Sequence, residues 1–460
     1  MNEPIALATA DDHSLSHALR PRHVTMITIG GIIGAGLFVG SSAAIAAVGP
    51  AAVFSYVLTG LLVLLIMRML GEMAVEMPKV RSFTEFARAG LGQWAGFTVG
   101  WLYWYFWIIV IPVEAIAGAT ILQQWLPFAN WQIGFVLMAA MTSVNLMSAR
   151  SYGEFEFWFA SIKVAAIIAF ILVAAAYAFG YTSPTGSTFH NLTAHGGFAP
   201  FGWVAVFAGA TTVFFSMMGA EIVTIAAAES TEPAKSVARM TSTVVWRILM
   251  FYVGSVTLIV CVVPWNTIRP GESPFTHALD TMQIPLASTL MSWIILTAVL
   301  SCLNSAFYVA SRVLFVLAEA GDAPRWLVKT NARLVPARAV LLASAAGFAG
   351  VISAILSPGL VFDWLVKASG ALIVFIYISI AVSQVQLRRA RERAGAPPAA
   401  LPMWLFPWLS YFAIAAMVAV LVAMAVTPGL GSQLWASVIS VAVALLICAA
   451  LRGSRARASG

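Results

Sequence analysis

The chain has 460 residues, 61% of them hydrophobic and 9% charged, with a net charge of +7. A water-soluble fold is about a quarter charged, so this composition excludes a soluble globular domain and requires an exterior that faces lipid. The three cysteines (Cys261, Cys302, Cys448) and six histidines stand at no metal-ligand spacing, which argues against a disulfide framework, a zinc site or haem ligation. All six histidines (His13, His17, His23, His190, His195, His277) fall in hydrophilic segments outside the apolar runs.

A helix crossing a hydrocarbon layer of roughly 30 Å needs about 20 apolar residues. Residues 1–24 form a hydrophilic N-terminal segment whose acids and histidines do not fit a cleaved signal peptide. Twelve spans follow, near 25–47, 51–72, 96–122, 130–149, 157–180, 202–226, 243–264, 286–317, 337–357, 362–387, 404–427 and 432–451. The expected class is an all-α polytopic membrane protein with 12 transmembrane helices. Its expected organisation is a five-helix repeat over 25–180, a second, inverted repeat over 202–387, a basic loop at 388–403, two additional helices over 404–451 and a tail at 452–460.

Loop charges set the sidedness. Arg20 and Arg22 precede span 1; Arg68, Lys79, Arg81 and Arg88 surround loop 2–3; Arg150 lies in loop 4–5. Lys235, Arg239 and Arg247 follow span 6, and Arg312, Arg325, Lys329, Arg333 and Arg338 surround loop 8–9. Arg388, Arg389, Arg391 and Arg393 follow span 10, and Arg452, Arg455 and Arg457 end the chain. Of the 25 basic residues only Arg269 falls in an opposite-face loop, with Lys163 and Lys367 inside spans. The positive-inside rule then places both termini in the cytoplasm. The net charge is a consequence of topology and implies no nucleic-acid partner.

Span 1 carries five glycines in eleven residues, Gly30-Gly31-Ile32-Ile33-Gly34-Ala35-Gly36-Leu37-Phe38-Val39-Gly40. Gly30/Gly34 and Gly36/Gly40 read equally as GxxxG packing pairs. Span 6 carries Phe214-Phe215-Ser216-Met217-Met218-Gly219-Ala220-Glu221, a second weak point five spans after the first. Five is odd, so two five-helix repeats would be inverted in the membrane, and matched helix breaks in inverted halves point to a transporter's binding site. A break frees N–H and C=O groups that lipid cannot satisfy. Freed amides suit a carboxylate and freed carbonyls suit an ammonium, together an amino acid.

Ionisable residues at depth are functional candidates. Lys163 lies about seven residues, roughly 10 Å, into span 5, and its flank Phe157–Val164 offers no acid. Away from water a lysine gives up its proton more readily, so Lys163 is a candidate proton-coupling group; the alternative is a side chain that snorkels to the interface. Glu114, two residues after Pro112 where the helix should be disturbed, could meet a substrate ammonium, carry a proton or bond a neighbouring helix. Glu221 is expected to brace the span 6 break beside Gly219, and Glu72 to pair with loop arginines. Asp363 and Lys367 read as an i,i+4 pair. The aromatic run from Trp101 to Trp107 is left unassigned as packing or lipid-facing, whereas Phe214 and Phe215 border the break and could gate it. The sequon-like Asn191-Leu192-Thr193 carries no weight.

Several motifs together resemble the amino acid–polyamine–organocation (APC) superfamily, specifically its bacterial amino acid transporter family, over nearly the full length. They are Arg22-His23-Val24-Thr25-Met26 leading into GGIIGAGLFVGSS, Gly49-Pro50 through Gly71-Glu72-Met73-Ala74, and Tyr152-Gly153-Glu154-Phe155-Glu156-Phe157-Trp158. Gly219-Ala220-Glu221 with Ala228-Glu229-Ser230, and Ser301-Cys302-Leu303-Asn304-Ser305 running to Gly321-Asp322-Ala323-Pro324, complete them. Within the family, WLYWYFWIIVIPVEA, FFSMMGAEIVTIAAAES and IAVSQVQLRRARE are most similar to 4-aminobutyrate permeases. The resemblance implies a LeuT-like 5+5 inverted repeat plus two C-terminal helices, and proton-coupled uptake by alternating access. By position it implies that Ile32, Gly34, Ala35 and Gly36 contact the substrate carboxylate, mainly by backbone. Phe215, Ser216 and Met218 would border the amine end, with Phe215 as gate, and Lys163 would stand where sodium-coupled relatives hold a sodium ion. Cys302 falls near the core, with packing an equal explanation.

The expected function is import of a small amino acid, first choice 4-aminobutyrate, with a proton, through the inner membrane. Its alternatives are a same-family permease for proline or an aromatic amino acid, and an amino acid exchanger. The expected partners are the amino acid, the proton and the lipid bilayer, with no cofactor and no metal. A sensor is disfavoured because the hydrophilic stretches fall well below domain size, and an enzyme because no nucleophile–base or phosphate-loop constellation is present.

Overall fold

The computed structural model describes residues 19, 21–78, 80, 82–228, 249–355, 361, 365, 369, 371–427 and 430–458. Lys235, Arg239, Arg247, Asp363 and Lys367 lie outside them. Among the described residues the chain is helical, without a strand. Seven helical stretches are long and apolar enough to cross a membrane, and three shorter apolar helices accompany them. This is a multi-pass membrane protein.

The expected first span is three pieces: α1 (Pro21–Ile32), α2 (Ala35–Phe38) and α3 (Gly40–Val48). Gly49, with φ +76, and Pro50 end α3 and turn the chain into α4 (Ala52–Glu76). The loop beyond holds α5 (Phe83–Leu91), whose first turn is capped by the Ser82 hydroxyl. Then come α6 (Gln93–Leu122), α7 (Asn130–Met147) and α8 (Ala149–Ala178). The sixth span is also divided, into α9 (Gly202–Met217) and α10 (Ile222–Ala228). The remaining elements are α11 (Leu249–Val262), α12 (Pro274–Thr281), α13 (Ala287–Glu319), α14 (Ala337–Ser353), α15 (Leu372–Arg393), α16 (Trp408–Val426) and α17 (Gly431–Ala458).

The core is organised on α6 and α13, which pack along each other with Leu317 seated on Gly100. On one side α13 meets α8 and α1, and the broken helices α1–α3 and α9–α10 run together against it. Large apolar side chains stay exposed on α8, α16 and α17, among them Trp158, Leu172, Val422, Trp435 and Leu446. In water such a surface would aggregate; in a bilayer it is the solvated face.

Three expectations are corrected. Helix α8 begins at Ala149, not near 157, because Ser148 caps it by accepting from Ser151 N at 3.0 Å. Arg150 therefore sits in a helical turn, and Lys163 lies fourteen residues from the helix start (163 − 149), roughly 21 Å at helical rise. Pro112 does not disturb α6, which runs unbroken through it; Gly350 of α14 has no side chain, and the proline ring packs there. His23 is a buried residue of α1, 3.1 Å from Glu154 of α8, not part of a hydrophilic segment. Asn191 is also structural: its amide donates to the carbonyls of Cys261 and Val262 at 2.8 and 3.3 Å, closing the end of α11.

Polar clasps hold helix ends together. Arg88 pairs with Asp322, and Arg22 with Glu154 at 2.8 Å. Buried Glu72 accepts from Gln384 Nε2 at 3.0 Å, Arg388 Nη1 at 3.1 Å and Met403 N at 2.7 Å, tying α4 to α15 and to the segment entering α16. Removing that carboxylate strands a buried N–H, an amide and a guanidinium together. Glu72→Ala should therefore cost about 3 kcal/mol and lower the thermal midpoint in detergent by several degrees. Glu392→Ala, which removes only the exposed i,i+4 partner of Arg388, should cost under about 0.5 kcal/mol. Equal midpoints for the two variants would refute this assignment.

Candidate functional site

Where α1 ends, the hydrogen-bond ladder loses its register. Gly34 N donates to Ile32 O at 3.1 Å instead of reaching back to Gly30, and Leu37 N donates to Gly34 O at 3.2 Å instead of Ile33. The carbonyls of Gly30 and Ile33 are thereby left without main-chain donors in the middle of the protein. Lys163 supplies both: its ammonium donates to Gly30 O at 2.6 Å, Ile33 O at 2.7 Å and Ser301 Oγ at 2.8 Å. The lysine is completely buried, so its side chain does not snorkel to the interface.

At the second break Met218 is extended (φ −67°, ψ 151°) and Gly219 has φ +112, a conformation that requires glycine. A Cβ on Gly219 would stand 2.7 Å from Gly31 O, so the two breaks touch backbone to backbone there. Glu221 turns back on this break. Its carboxylate accepts from Gly219 N at 3.2 Å, Tyr103 Oη at 2.9 Å and Tyr377 Oη at 2.7 Å, which anchors the break to α6 and α15. Gly219 and Glu221 thus form the brace of the second break.

Two further bonds join the breaks. Ser216 Oγ donates to Gly36 O at 2.9 Å, and Tyr252 of α11 places its hydroxyl 2.9 Å from Ile32 O and 2.7 Å from Ser216 O. A phenol has one proton, so Tyr252 serves these two carbonyls in turn.

Between the breaks lies a cavity of about 30 Å³ lined by Gly31, Ile32, Gly34, Gly36, Ser216 and Met218, closed on the other side by Phe106, Trp107, Val110 and Glu114 of α6 and Cys302 of α13. One water needs about 10–15 Å³ of such a cavity, so the space as it stands is smaller than any amino acid. Glu114 is buried, with the Cys302 thiol and the Ala35 backbone among its neighbours. Its Oε2 has no hydrogen-bond partner among the described residues.

Of the residues singled out by sequence, the structure brings Ile32, Gly34, Gly36, Ser216, Met218 and Glu114 to one cavity, with Ala35 beside them. The side chain of Phe215 lies outside the described residues. Phe214 is buried and packs edge-on against Tyr377, away from the cavity lining. The aromatic run on α6, left unassigned, supplies Phe106 and Trp107 to the lining. Their signal was their position seven and eight residues, about two turns, before Glu114 on the same helix face. Tyr252 had no signal: it is a single tyrosine in an apolar run. The expectation that Lys163 has no acid nearby is corrected. Glu156, seven residues earlier and so on the same face of α8, receives the Ser301 hydroxyl that Lys163 also touches.

Residues 23–452 match the profile of the family described as amino acid permease. The chain is 47% identical over 424 residues to a gamma-aminobutyric acid permease of Bacillus subtilis, covering 91% of this chain and 90% of the relative. It is 46% identical over 425 residues to the gamma-aminobutyric acid permease of Escherichia coli, covering 91% of each. An aromatic amino acid transport protein of Corynebacterium glutamicum is 40% identical over 405 residues, covering 86% of this chain and 87% of the relative.

The glycines of the first break divide by what they touch. A methyl on Gly36 would meet Ser216 Cα at 2.8 Å, a backbone atom that cannot step aside, whereas a methyl on Gly40 finds its nearest neighbour at 3.5 Å. Gly36→Ala should therefore force the breaks apart and lower amino acid uptake by about tenfold or more, while Gly40→Ala stays within about twofold of the parent. Uptake into expressing cells, normalised to membrane-inserted protein, measures both. Equal loss in the two variants would mean that Gly36 and Gly40 serve helix packing alike.

Proposed function

This chain belongs to the amino acid permease family, and we propose that it is a symporter that imports 4-aminobutyrate with a proton by alternating access. The proposal includes a plasma-membrane location, both termini in the cytoplasm, and twelve spans built as a LeuT-like 5+5 inverted repeat with two further helices. The charge asymmetry of the loops and the odd spacing of the two breaks support that arrangement. The names of the relatives at 46–47% identity support the substrate.

The observation that carries the reading is that each break has one end satisfied by a charged side chain and the other end without one. At the first, Lys163 and Tyr252 take the carbonyls at the end of α1, while α2 starts at Gly34 with no side-chain cap. Open amides at a helix start favour a carboxylate; we assign the substrate carboxylate to Ile32, Gly34, Ala35 and Gly36. At the second, Glu221 takes the amide side, and at the carbonyl end of α9 Ser216 O has only its share of the Tyr252 hydroxyl. We assign the substrate ammonium there, to Phe215, Ser216 and Met218, with Glu114 lining the same cavity.

Lys163 is the proposed coupling group. Protonated, it fastens the end of α1 to α8 and α13. Without its proton the Gly30 and Ile33 carbonyls lose their charged donor, and α1 is released to move against those helices, so protonation selects between the two access states. The cavity must widen to admit an amino acid, which makes movement of the breaks part of binding.

Two measurements in proteoliposomes test this. In a competition panel, excess 4-aminobutyrate should displace labelled substrate more effectively than proline, phenylalanine or tryptophan; failure to displace would end the substrate assignment. With no internal substrate and an imposed pH gradient, the protein should accumulate 4-aminobutyrate, whereas an exchanger would not. Lys163→Ala should abolish that accumulation while counterflow persists, and unchanged accumulation by the variant would refute its coupling role.

A further inference from the structure

The hydrogen bonds around Lys163 have a direction. Lys163 Nζ donates to Ser301 Oγ, and Ser301 in turn donates its own proton to Glu156 Oε1. Both end groups are completely buried. The end of α1 passes directly over the carboxylate: a Cβ on Gly30 would overlap Glu156 Oε1, so only glycine admits this acid beneath the broken helix. The other ionisable groups that face Lys163 are Glu114 on α6 and Cys302 on α13, both on the cavity side.

Glu156 lies seven residues from Lys163 toward the Ala149 end of α8, roughly 10 Å along the helix, the end that the loop charges assign to the cytoplasm. Polar side chains continue in that direction. Asn304 and Ser305 of α13 face the carboxylate. Asn304 Oδ1 accepts from Asn145 Nδ2 at 2.8 Å, two residues before the end of α7, and Ser305 Oγ lies 3.1 Å from the Tyr152 hydroxyl in the first turn of α8. Glu156 Oε2 and Asn304 Nδ2 have no hydrogen-bond partner among the described residues. A row of hydroxyl, carboxyl and amide groups inside an otherwise apolar bundle is expensive unless it is used.

We propose that Glu156 is the proton acceptor of Lys163, reached through Ser301, and the first station of the proton's exit toward the cytoplasmic side. This rests on Lys163 being the coupling group. In the step, the Lys163 N–H bond breaks as its proton bonds to Ser301 Oγ, while the Ser301 O–H bond breaks as that proton bonds to Glu156 Oε1. Ammonium and carboxylate become amine and carboxylic acid; Ser301 is unchanged, no electron is transferred and the net charge of the site is conserved. The pair thus loses both charges in one concerted shift, which frees the end of α1 without leaving an unbalanced charge in the membrane. The acid then releases its proton to water at the cytoplasmic end.

The test uses full-length protein in liposomes, with radiolabelled 4-aminobutyrate and a lumenal pH dye. Glu156→Gln keeps the shape but cannot accept the proton; it should lower the ratio of proton-driven accumulation to counterflow by about tenfold or more. Ser301→Ala, which leaves Lys163 its two carbonyls, should lower the same ratio, and Ser301→Thr, which restores the hydroxyl, should recover it. An unchanged ratio in Glu156→Gln overturns the proposal, as does equal loss of both transport modes in a folded variant, since that marks a purely structural carboxylate. If the unmodified protein shows no proton-driven accumulation and no lumenal pH change, the coupling reading itself has failed. If only the Glu156 and Ser301 variants behave normally while Lys163→Ala does not, the relay alone has failed.

Discussion

A backbone carbonyl freed inside a membrane must find a donor, because no water is there to supply one. The centre of this protein is organised around five such carbonyls. Gly30 and Ile33 are met by Lys163, Ile32 and Ser216 share Tyr252, and a fifth, Gly36, is met by Ser216. The donors come from α8, α11 and α9, so breaking one helix obliges three others to converge on it. That convergence explains the small residues between them: Gly31 lies against Ile222, Gly36 against Ser216, and Gly219 against Gly31. The breaks are therefore not locally flexible points but backbone cross-linked to three helices.

The charges used at the two breaks have opposite sign, and each matches the helix end it meets. Carbonyls at the end of α1 carry the negative end of that helix's dipole, and an ammonium sits on them. Amides before α10 carry a positive end, and the Glu221 carboxylate sits there. A zwitterion between the breaks, as proposed, would find the complementary vacant ends, its carboxylate toward the start of α2 and its ammonium toward the end of α9. The fixed charges then do more than stabilise the fold. By occupying one end of each break they leave the substrate a single polarity, so it would bind in one orientation.

Much of this was legible in the sequence, and the limits have physical causes. Glycine density and a carboxylate two residues after a glycine located both breaks, because lipid permits interrupted helices only where something else satisfies the backbone. Helix lengths followed from apolar run length, but the start of α8 did not: Glu154, Glu156 and Arg150 read as loop because charge was taken as the end of the span, whereas Ser148 caps the helix and Arg22 neutralises Glu154. Glu156 stands directly before the apolar flank Phe157–Val164 of Lys163 and belongs to the same helix. Pro112 was read as a disturbance because a proline removes one donor and crowds one turn, yet Gly350 gives its ring a place to pack. Tyr252 could not be found from sequence, since its role is set by where α11 passes and not by any local pattern.

The buried carboxylates also sort themselves by how fully they are satisfied. Glu221 accepts from two phenols and a backbone N–H, and Glu72 accepts from an amide, a guanidinium and a backbone N–H. An acid so fully bonded is fixed in place by its partners and exchanges them only if the fold opens. Glu156 accepts from Ser301 on one oxygen while the other has no partner among the described residues, and Glu114 likewise keeps Oε2 without one beside the cavity. Leaving a buried oxygen unpaired is costly, and among the described residues the carboxylates that bear this cost include Glu156 beside Lys163 and Glu114 beside the cavity. Full satisfaction fixes geometry; incomplete satisfaction leaves a group able to take a proton or an ammonium. The division of labour proposed for these acids, Glu221 and Glu72 as braces and Glu114 and Glu156 as working groups, follows from that difference in bonding and not from their burial, which they share.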